Sequence, residues 1–377
     1  MRSLARTMFR KVRMKVPFVD IAAQTHEVSE EIEEALRRVL KSGQYILGPE
    51  VSAFESELAA YLGLGQDREV VGVSSGTDAL LMCMMHAGIG PGDEVILPDF
   101  GYFAAAECVV RLGATCVFAD VGPDFQISVQ SVARLISPAT RMVVAIDLFG
   151  DLPDWKGLRA LAERHGLLLV EDAAQAIGSS LEGRMAGGFG DMATFSFFPT
   201  KNLGAAGDGG AIVCGTEVAR EIRSMRSHGT GTHKYEHVRV GGNFRLDALQ
   251  AAILRAKLPH LDGWNARRRE VAEFYDECLD GLGIGLPKPK AESNWHQYTI
   301  TLAKRDEVRA ALSQRGIETQ VYYPLQSSEQ PLLKGSRTGD LGVSSRLHRE
   351  VLSLPLVNEG SVLVGRTMEE LKMADVF

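Results

Sequence analysis

Short apolar segments alternate with stretches of helical pattern between residues 69 and 214 of the 377-residue chain. Most of these segments are followed by a run in which apolar side chains recur every three to four positions. They read "EVVGV" (69–73), "DEVILP" (93–98), "TCVFADV" (115–121), "RMVVAID" (141–147), "LLLVEDAA" (167–174), "ATFSFF" (193–198) and "GGAIVC" (209–214). Because strands that are apolar throughout must be covered on both faces, the alternation predicts an α/β fold with a mostly parallel sheet between two layers of helices.

Two regions flank this alternating part of the chain. Before it, "EVSEEIEEALRRVLKSG" (27–43) has the spacing of an amphipathic helix that stops at a glycine. After it, a long amphipathic segment (245–282) leads into sequence that we interpret as a smaller α+β domain. We therefore expect a disordered basic extension (1–15), a large domain (16–260) and a small C-terminal domain (261–377).

Charge and cysteine content exclude several classes of function. The formal net charge of −7 argues against a dominant nucleic-acid surface. No stretch of the sequence reaches the roughly twenty apolar residues that a membrane-spanning helix requires. The five cysteines are an odd set without a C-x-x-C pair, which is typical of reduced thiols in a cytoplasmic protein. We therefore expect no disulfide framework, no metal site, and no nucleic-acid or membrane partner.

The stretch "VSSGTDAL" (73–80) places a Ser-Ser-Gly-Thr turn between a strand and an apolar helix. The free N–H groups of a helix N-terminus, together with hydroxyl groups, suit a phosphate. The stretch is neither a Walker loop, since no lysine follows the glycine in that register, nor a dinucleotide fingerprint, since it has one glycine. A helix that is simply capped by Ser74 or Ser75 is the alternative.

The stretch "LLLVEDAAQAIGSS" (167–180) places Asp172 just past an apolar strand. Open α/β sheets bind their ligands at the carboxyl ends of the strands. A carboxylate at that depth needs a cation or several hydrogen-bond donors, and a protonated pyridine nitrogen is one such cation. Gln175 is close enough in sequence to reach the same ring. The alternative is an aspartate that caps the following helix.

The stretch "TFSFFPTKNLGAAGDGG" (194–210) brings Lys201 to the end of another apolar strand that carries Ser196. A lysine that is partly desolvated there has a lowered pKa, and its neutral amine can attack a carbonyl. Glycines at 204, 207, 209 and 210 allow close approach to the main chain, which disfavours the alternative of an ordinary surface lysine. At a fourth strand end, in "PDFGYFAAAE" (98–107), Tyr102 or a neighbouring aromatic could stack on a flat ring or pack in the core.

Together these stretches supply a phosphate site, a partner for a pyridinium, an amine for a carbonyl and a stacking ring at one edge of a sheet. These are the groups that bind pyridoxal 5'-phosphate (PLP). The sequence therefore predicts a PLP enzyme in which Lys201 holds the cofactor aldehyde.

The residues also resemble a known family, the DegT/DnrJ/EryC1/StrS sugar aminotransferases, which are fold type I PLP-dependent transferases. The resemblance covers roughly residues 17–356. It rests on "VPFVDIAAQ", "SGQYILGPEVSAFE", "SSGTDAL", "VEDAAQAIG", "GDMATFSFFPTKNLGAAGDGGAIV", "RSHG", "GGNFRLDALQAAIL" and "GIETQVYYPL". The combination of "EDAAQA" with "SFFPTKNLG" is the most specific part of this set.

The resemblance implies roles for individual residues. Lys201 would form the covalent link to the cofactor and move a proton, Asp172 would keep the pyridine nitrogen protonated, and Gln175 would bond the ring hydroxyl. Asn243 would reach the phosphate from the neighbouring subunit, so a homodimer with shared active sites is implied. The remaining cofactor contacts are implied for residues that hold the phosphate or cover the ring: Gly76, Thr77, Ser196 and Tyr102.

The sequence departs from the family pattern in three places. Asp147 stands where the family commonly has histidine, and Asp151 stands where glutamine is frequent, so we expect both to affect substrate preference. In "YYPLQSSEQP" the usual histidine is missing. The end of the chain, "VNEGSVLVGRTMEELKMADVF" (357–377), lacks the expected pattern of a final helix.

The reaction expected from these residues is the transfer of an amine from L-glutamate to a keto-sugar linked to a nucleotide, in amino-sugar biosynthesis. A cyclitol ketone is an alternative acceptor. A related branch of the fold dehydrates sugars with PLP, but it resembles this family with a histidine in place of the lysine, so Lys201 disfavours that activity. A protein that binds PLP without catalysis is the remaining alternative, which Asp172 and Lys201 also disfavour.

Overall fold

The computed structural model describes residues 15–233 and 235–373. The extension expected to be disordered (1–15) therefore lies outside the described residues except for Lys15. Within the described residues there are thirteen α-helices: α1 (Ile21–Glu27), α2 (Ser29–Ser42), α3 (Pro49–Tyr61), α4 (Gly76–His86), α5 (Ala104–Arg111), α6 (Val129–Leu135), α7 (Trp155–His165), α8 (Thr216–Arg226), α9 (Ala248–Lys257), α10 (Leu261–Leu279), α11 (Arg305–Gln314), α12 (Gly342–Glu350) and α13 (Asn358–Met373). The same residues form twelve strands: β1 (Arg68–Val73), β2 (Glu94–Pro98), β3 (Thr115–Ala119), β4 (Thr140–Ile146), β5 (Leu168–Asp172), β6 (Ser180–Leu181), β7 (Arg184–Met185), β8 (Met192–Ser196), β9 (Gly210–Gly215), β10 (Tyr298–Thr301), β11 (Arg337–Thr338) and β12 (Val351–Leu354).

Eight of these strands form one sheet in the order β1-β9-β8-β5-β4-β2-β3-β11. Strand β9 runs antiparallel to both of its neighbours, and the other pairs in the sheet are parallel. The predicted α/β fold with a mostly parallel sheet is therefore confirmed. The seven segments predicted from apolar patterning all contain strands, with ends that differ by at most two residues.

Helices cover both faces of this sheet, as predicted. One face packs against a cluster that includes Leu58 of α3 and Leu158 of α7. The other face packs against a cluster that includes Leu80 of α4 and Val109 of α5. Since both faces are buried, the strands can be apolar at every position, which is why they alternate so little in sequence.

Helix α2 ends where the sequence predicts. Gly43 follows its last residue with φ of 68°, and the Gly43 N–H donates to the Val39 carbonyl. Glycine adopts this left-handed conformation without the steric penalty of a Cβ atom, so it ends the helix at low cost.

The C-terminal part of the chain builds a second core around the antiparallel pair β10–β12. Tyr275 of α10 is fully buried there, and its hydroxyl donates to the Pro355 carbonyl at 2.7 Å. The expected lack of a final helix is wrong, because α13 packs on α10 and buries Val364 and Met368. Apolar residues at four-residue spacing carry this helix even though two glycines interrupt its first half.

Strand β11 lies in the range that we expected for the small domain, yet it pairs in parallel with β3 at the edge of the large sheet. The division of the chain into domains at residue 260 therefore stays a prediction. Each helix in the described part of the chain is too short or too polar to cross a bilayer.

A buried ion pair joins three elements next to the sheet edge that carries the "SSGT" turn. Glu55 of α3 accepts hydrogen bonds from the Gly72 N–H of β1 at 2.8 Å and from Arg226 Nη1 of α8 at 2.6 Å. The same Arg226 nitrogen donates to the Gly72 carbonyl at 2.9 Å. Removal of the Glu55 carboxylate would leave the Arg226 guanidinium buried without a charged partner.

We predict that Glu55→Ala lowers the free energy of unfolding by about 3 kcal/mol, because Arg226 would then be an unpaired buried charge. Glu57→Ala is the matched control in the same helix: Glu57 is 41% exposed and pairs with Arg255 at the surface, so its loss should cost less than about 1 kcal/mol. Denaturant titration of both variants measures the difference. Equal losses in the two variants would show that the buried pair has no special weight.

Candidate active site

A cavity of about 380 Å³ lies at the carboxyl ends of the parallel strands. Its wall includes residues that directly follow β1, β2, β5 and β8, because the ends of parallel strands meet at one edge of the sheet. Of the eight residues proposed from sequence to bind a cofactor, seven line this cavity: Gly76, Thr77, Tyr102, Asp172, Gln175, Ser196 and Lys201. The eighth, Asn243, is exposed and does not line the cavity of its own chain.

The N-terminus of α4 forms one end of the cavity. Ser75 caps this helix, since its Oγ accepts a hydrogen bond from the Asp78 N–H at 3.0 Å. Gly76 lies so close to β8 that a Cβ atom on it would be 2.7 Å from Ser196 Cβ. Glycine therefore lets the hydroxyl of Ser196 lie beside the first N–H groups of the helix. The helix N-terminus, Thr77 and Ser196 together suit a phosphate.

Asp172 lies on the cavity wall at the end of β5 and is only 6% exposed. Its Oδ1 accepts a hydrogen bond from the Ala174 N–H at 3.1 Å, and its Oδ2 has no donor among the described residues. Burial raises the pKa of Asp172, whereas the Ala174 N–H and the charge of Lys201 oppose that rise. An unpaired carboxylate oxygen on the wall of a cavity suits a cationic group of a ligand.

Lys201 follows β8 through a Pro-Thr turn, in which its N–H donates to the Phe198 carbonyl at 2.8 Å. Its Nζ has neither a hydrogen-bond acceptor nor a carboxylate within 4.0 Å in the described part of the chain. Burial lowers the pKa of Lys201 to about 8, and the charge of Asp172 limits the decrease. A substantial fraction of the amine is therefore neutral near physiological pH and can act as a nucleophile or a base.

Gln175, Tyr102 and Tyr323 form another part of the cavity wall. Gln175 Oε1 accepts from the Phe149 N–H at 2.8 Å, and Nε2 donates to the Tyr323 hydroxyl at 3.1 Å. Tyr102 is 62% exposed, and its ring centroid lies 6.1 Å from that of Tyr323. An exposed aromatic ring at the mouth of a cavity can cover one face of a flat ligand.

Sequence reasoning missed several residues of this cavity, among them His296, Tyr322 and Tyr323. His296 Nδ1 lies 3.0 Å from Asn202 Oδ1, whose amide nitrogen donates to Asn265 Oδ1 and to the Asn294 carbonyl. Burial lowers the pKa of His296 well below its usual range, and the charge of Lys201 adds to the effect. A neutral imidazole that donates through Nδ1 leaves Nε2 as an acceptor. The signal was present in "HQYTITL" and "GIETQVYYPL", but no local pattern assigns these residues to the site.

Asp147 and Asp151, the two aspartates that depart from the family pattern, do not line the cavity. Asp151 accepts hydrogen bonds from the backbone N–H groups of Lys290 and Ala291, both at 2.9 Å. Asp147 is fully buried and does not line the cavity. The expected effect of these two residues on substrate preference stays a prediction, and it would have to act without direct contact with a ligand in this cavity.

Asp147 forms a carboxyl pair with Glu171. Glu171 accepts hydrogen bonds from the N–H groups of Gly187, Phe189 and Gly190 at 2.5 to 3.1 Å, so it is the ionised partner. Neither oxygen of Asp147 accepts a hydrogen bond of ordinary geometry among the described residues, although the nearby Trp155 side chain opposes the rise of its pKa. Burial, followed by the charge of Glu171, raises the pKa of Asp147, so Asp147 carries a proton that it can donate to Glu171.

We predict that Asp147→Asn gains stability relative to the unaltered protein as pH rises. Between the unfolded pKa of about 4 and the raised native pKa, the folded protein binds more protons than the unfolded chain, so stability falls with rising pH by about 1.4 kcal/mol per unit of pKa difference. The asparagine amide keeps a donor to Glu171 and does not titrate. Denaturant titrations from pH 4 to 8 measure the trend, and a constant difference between the two proteins would contradict the protonated pair.

Known proteins resemble this chain over most of its length. The model of the DegT/DnrJ/EryC1/StrS aminotransferase family matches residues 11–361. The chain is 44% identical over 349 residues to the dTDP-3-amino-3,4,6-trideoxy-alpha-D-glucose transaminase of Streptomyces venezuelae, covering 91% of each chain. It is 41% identical over 348 residues to the UDP-N-acetyl-3-dehydro-alpha-D-glucosamine 3-aminotransferase of Acidithiobacillus ferrooxidans, covering 91% of this chain and 93% of that one.

A solved structure agrees with these sequence relatives. The crystal structure of DesV from S. venezuelae, in complex with a ketimine intermediate, superposes with a TM-score of 0.91 and 43% identity. The superposition covers 95% of this chain and 98% of that one. The family model and the relatives each extend over most of the sequence, and seven of the eight cofactor residues that the resemblance implies line one cavity. The chain therefore belongs to the DegT/DnrJ/EryC1/StrS aminotransferase family.

Proposed function

We propose that this protein transfers an amine from L-glutamate to a nucleotide-linked keto-sugar, with PLP as cofactor, in the cytoplasm. The observation that carries the proposal is Lys201, an amine with a lowered pKa on a cavity wall that also holds Asp172 and the N-terminus of α4. The acceptor is suggested by the relatives, whose names include dTDP-linked and UDP-linked amino sugars. The cytoplasm is suggested by the free cysteines, four of which are buried.

The residues of the cavity fit PLP at each of its polar groups. The N-terminus of α4, Thr77 and Ser196 offer donors for the phosphate. The free Oδ2 of Asp172 suits a protonated pyridine nitrogen, and Gln175 on the same wall would bond the ring hydroxyl. Tyr102 is placed to cover one ring face. The phosphate site and the Asp172 carboxylate lie at separate places on the wall, as the phosphate and the ring nitrogen of one PLP molecule require.

When bound, PLP supplies a carbonyl that takes the amine and a conjugated ring that accepts electrons from the substrate carbon. The protein residues orient this group and move protons. Asp172 Oδ2 stabilises positive charge on the ring nitrogen, which favours the flow of electrons into the ring. Lys201 Nζ, with a pKa of about 8, would accept a proton from the substrate carbon that bears the nitrogen and return it to the cofactor carbon on the other side of that nitrogen.

Two substrates in turn must use the same lysine. The amino donor delivers its amine and leaves as a keto acid, and the keto-sugar then takes the amine. In each half of the reaction the lysine first accepts a proton as a base and then returns it as an acid. A lysine pKa near the working pH serves both roles. The neutral Nε2 of His296 on the same wall is a further acceptor for a substrate N–H or O–H.

We further propose a homodimer in which Asn243 of each chain completes the site of its partner. Asn243 is exposed in the single chain, although the Phe244 carbonyl next to it accepts from the Ser74 N–H beside the phosphate end of the cavity. The segment just before it exposes apolar side chains, with Val238 at 55% and Val240 at 79% exposure. The exposed apolar segment lies beside a polar side chain that neither lines the cavity of its own chain nor is buried there. Together they support a subunit interface at this position.

We predict that Lys201→Ala abolishes the visible absorption band of the PLP-loaded protein and lowers glutamate-dependent amine transfer at least about a thousandfold, because the covalent link and the proton carrier are lost together. Lys156→Ala, at an exposed position of α7, is the control and should match the unaltered protein. Absorption spectra and an amine-transfer assay with nucleotide keto-sugars and cyclitol ketones measure both effects. Survival of both the band and the transfer in Lys201→Ala would refute the proposal.

We predict that mixing two inactive variants restores activity if the sites are shared. In a heterodimer of Lys201→Ala and Asn243→Ala chains, one site has an intact Lys201 and an intact partner Asn243. Random exchange of subunits should then restore roughly one quarter of the sites. Activity is measured after mixed subunits have been unfolded and refolded together. If Asn243→Ala alone stays fully active, or if the mixture stays inactive, Asn243 does not complete the partner site.

A further inference from the structure

A second cavity, of about 480 Å³, lies beside the first. Its walls are formed by the segment 15–24, by α10 and by residues 356–357. Thr200 and Lys201 line both cavities. A ligand in the second cavity therefore lies next to the residue on which the proposed chemistry depends.

The cations on the wall of this second cavity differ in their partners. Lys15 pairs with Glu318 at 2.7 Å, and Arg267 pairs with Glu27 at 2.7 Å. Lys201 has the charge of Asp172 nearby in the first cavity. Arg268, by contrast, has no carboxylate within 4.0 Å among residues 15–233 and 235–373.

Arg268 is held in place by neutral groups. Its Nη1 donates to the carbonyl oxygens of Trp295 and His296 at 3.3 and 3.5 Å, both long contacts. Its Nε and Nη2 have no hydrogen-bond partner in the part of the chain that the structure describes. Burial alone lowers the pKa of Arg268 to about 10, because no nearby anion offsets it. The guanidinium still carries its charge at neutral pH and faces a cavity without a counter-ion.

We propose that Arg268 binds a carboxylate group of the amino donor, so that the second cavity is the donor's carboxylate subsite. This inference rests on the proposed function, because it takes the donor to be a dicarboxylic amino acid. A half-buried guanidinium without a counter-ion is stabilised by an oxyanion, and its planar fork matches the two oxygens of a carboxylate. Lys201 on the same wall supplies the amine chemistry that such a donor requires.

A phosphate of the acceptor is the other oxyanion that this site could meet. Two observations favour the carboxylate. Arg268 is the single guanidinium on this wall without an acidic partner among the described residues. Asp20 and Glu27 on the same wall would repel a diphosphate more strongly than a single carboxylate.

The test uses the PLP-loaded protein and two neighbouring substitutions. Arg268→Gln removes the unpaired cation, and Arg267→Gln removes the paired one on the same wall, so the two variants have the same change in charge. Binding of glutarate, a dicarboxylate without an amine, is measured by calorimetry. We expect the Kd of glutarate to rise at least about tenfold in Arg268→Gln and less than about twofold in Arg267→Gln.

Kinetics give a second measurement. The KM for L-glutamate and for 2-oxoglutarate should rise in Arg268→Gln, whereas the KM for the keto-sugar should stay unchanged, which a general structural defect would not produce. Thermal unfolding shows whether Arg268→Gln is folded. Should it be unstable, Arg268→Lys decides, because it keeps the charge, loses the fork and should bind glutarate with an affinity between the other two forms.

Two results would overturn the subsite. One is a Kd for glutarate that stays within twofold in folded Arg268→Gln. The other is loss of binding for inorganic phosphate and the keto-sugar alone, which would mean that Arg268 binds the acceptor. These results are separable from the proposed function: if the unaltered protein fails to take an amine from L-glutamate, the donor is wrong, but glutarate binding still tests Arg268.

Discussion

The site depends on two opposite charges that the sheet holds apart at the same edge. Asp172 ends β5 and Lys201 follows β8, and these strands are direct neighbours in the sheet. The two side chains do not form an ion pair within 4.0 Å, so each keeps a free polar atom on the wall of one cavity. Burial of this unpaired arrangement is unfavourable by itself. A ligand with a cationic ring nitrogen would pair with the Asp172 carboxylate, and a carbonyl group of the same ligand would react with the Lys201 amine. The arrangement therefore indicates PLP chemistry.

Positions outside the cavity keep these charges where they are. Glu171 precedes Asp172 on β5 and points to the opposite face of the strand, where three backbone N–H groups and Asp147 fix it. Asn202 directly follows Lys201, and its side-chain amide forms hydrogen bonds with His296 and with α10. Each end of the reactive pair is thus attached to buried hydrogen bonds rather than to a mobile loop, which limits how far either group can move during catalysis.

Much of the fold and the centre of the site could be predicted from the sequence, because both depend on local patterns. Apolar strands between helices predict the sheet, and residues that directly follow strands must meet at its carboxyl edge, so Asp172, Ser196 and Lys201 could be placed together. His296, Tyr322 and Tyr323 could not, because they come from distant segments that long-range packing brings to the cavity. The final helix was missed for a related reason: packing against α10 stabilises α13 more than its glycine-containing sequence suggests.

The most direct test of this account is to find which side chain carries the cofactor. The PLP-loaded protein is treated with borohydride, digested, and analysed by mass spectrometry for peptides that carry a reduced phosphopyridoxyl group. The account predicts that the group is attached to Lys201 and that prior incubation with L-glutamate removes the label. Attachment to another lysine such as Lys257, or no attachment at all, would contradict the central role of Lys201.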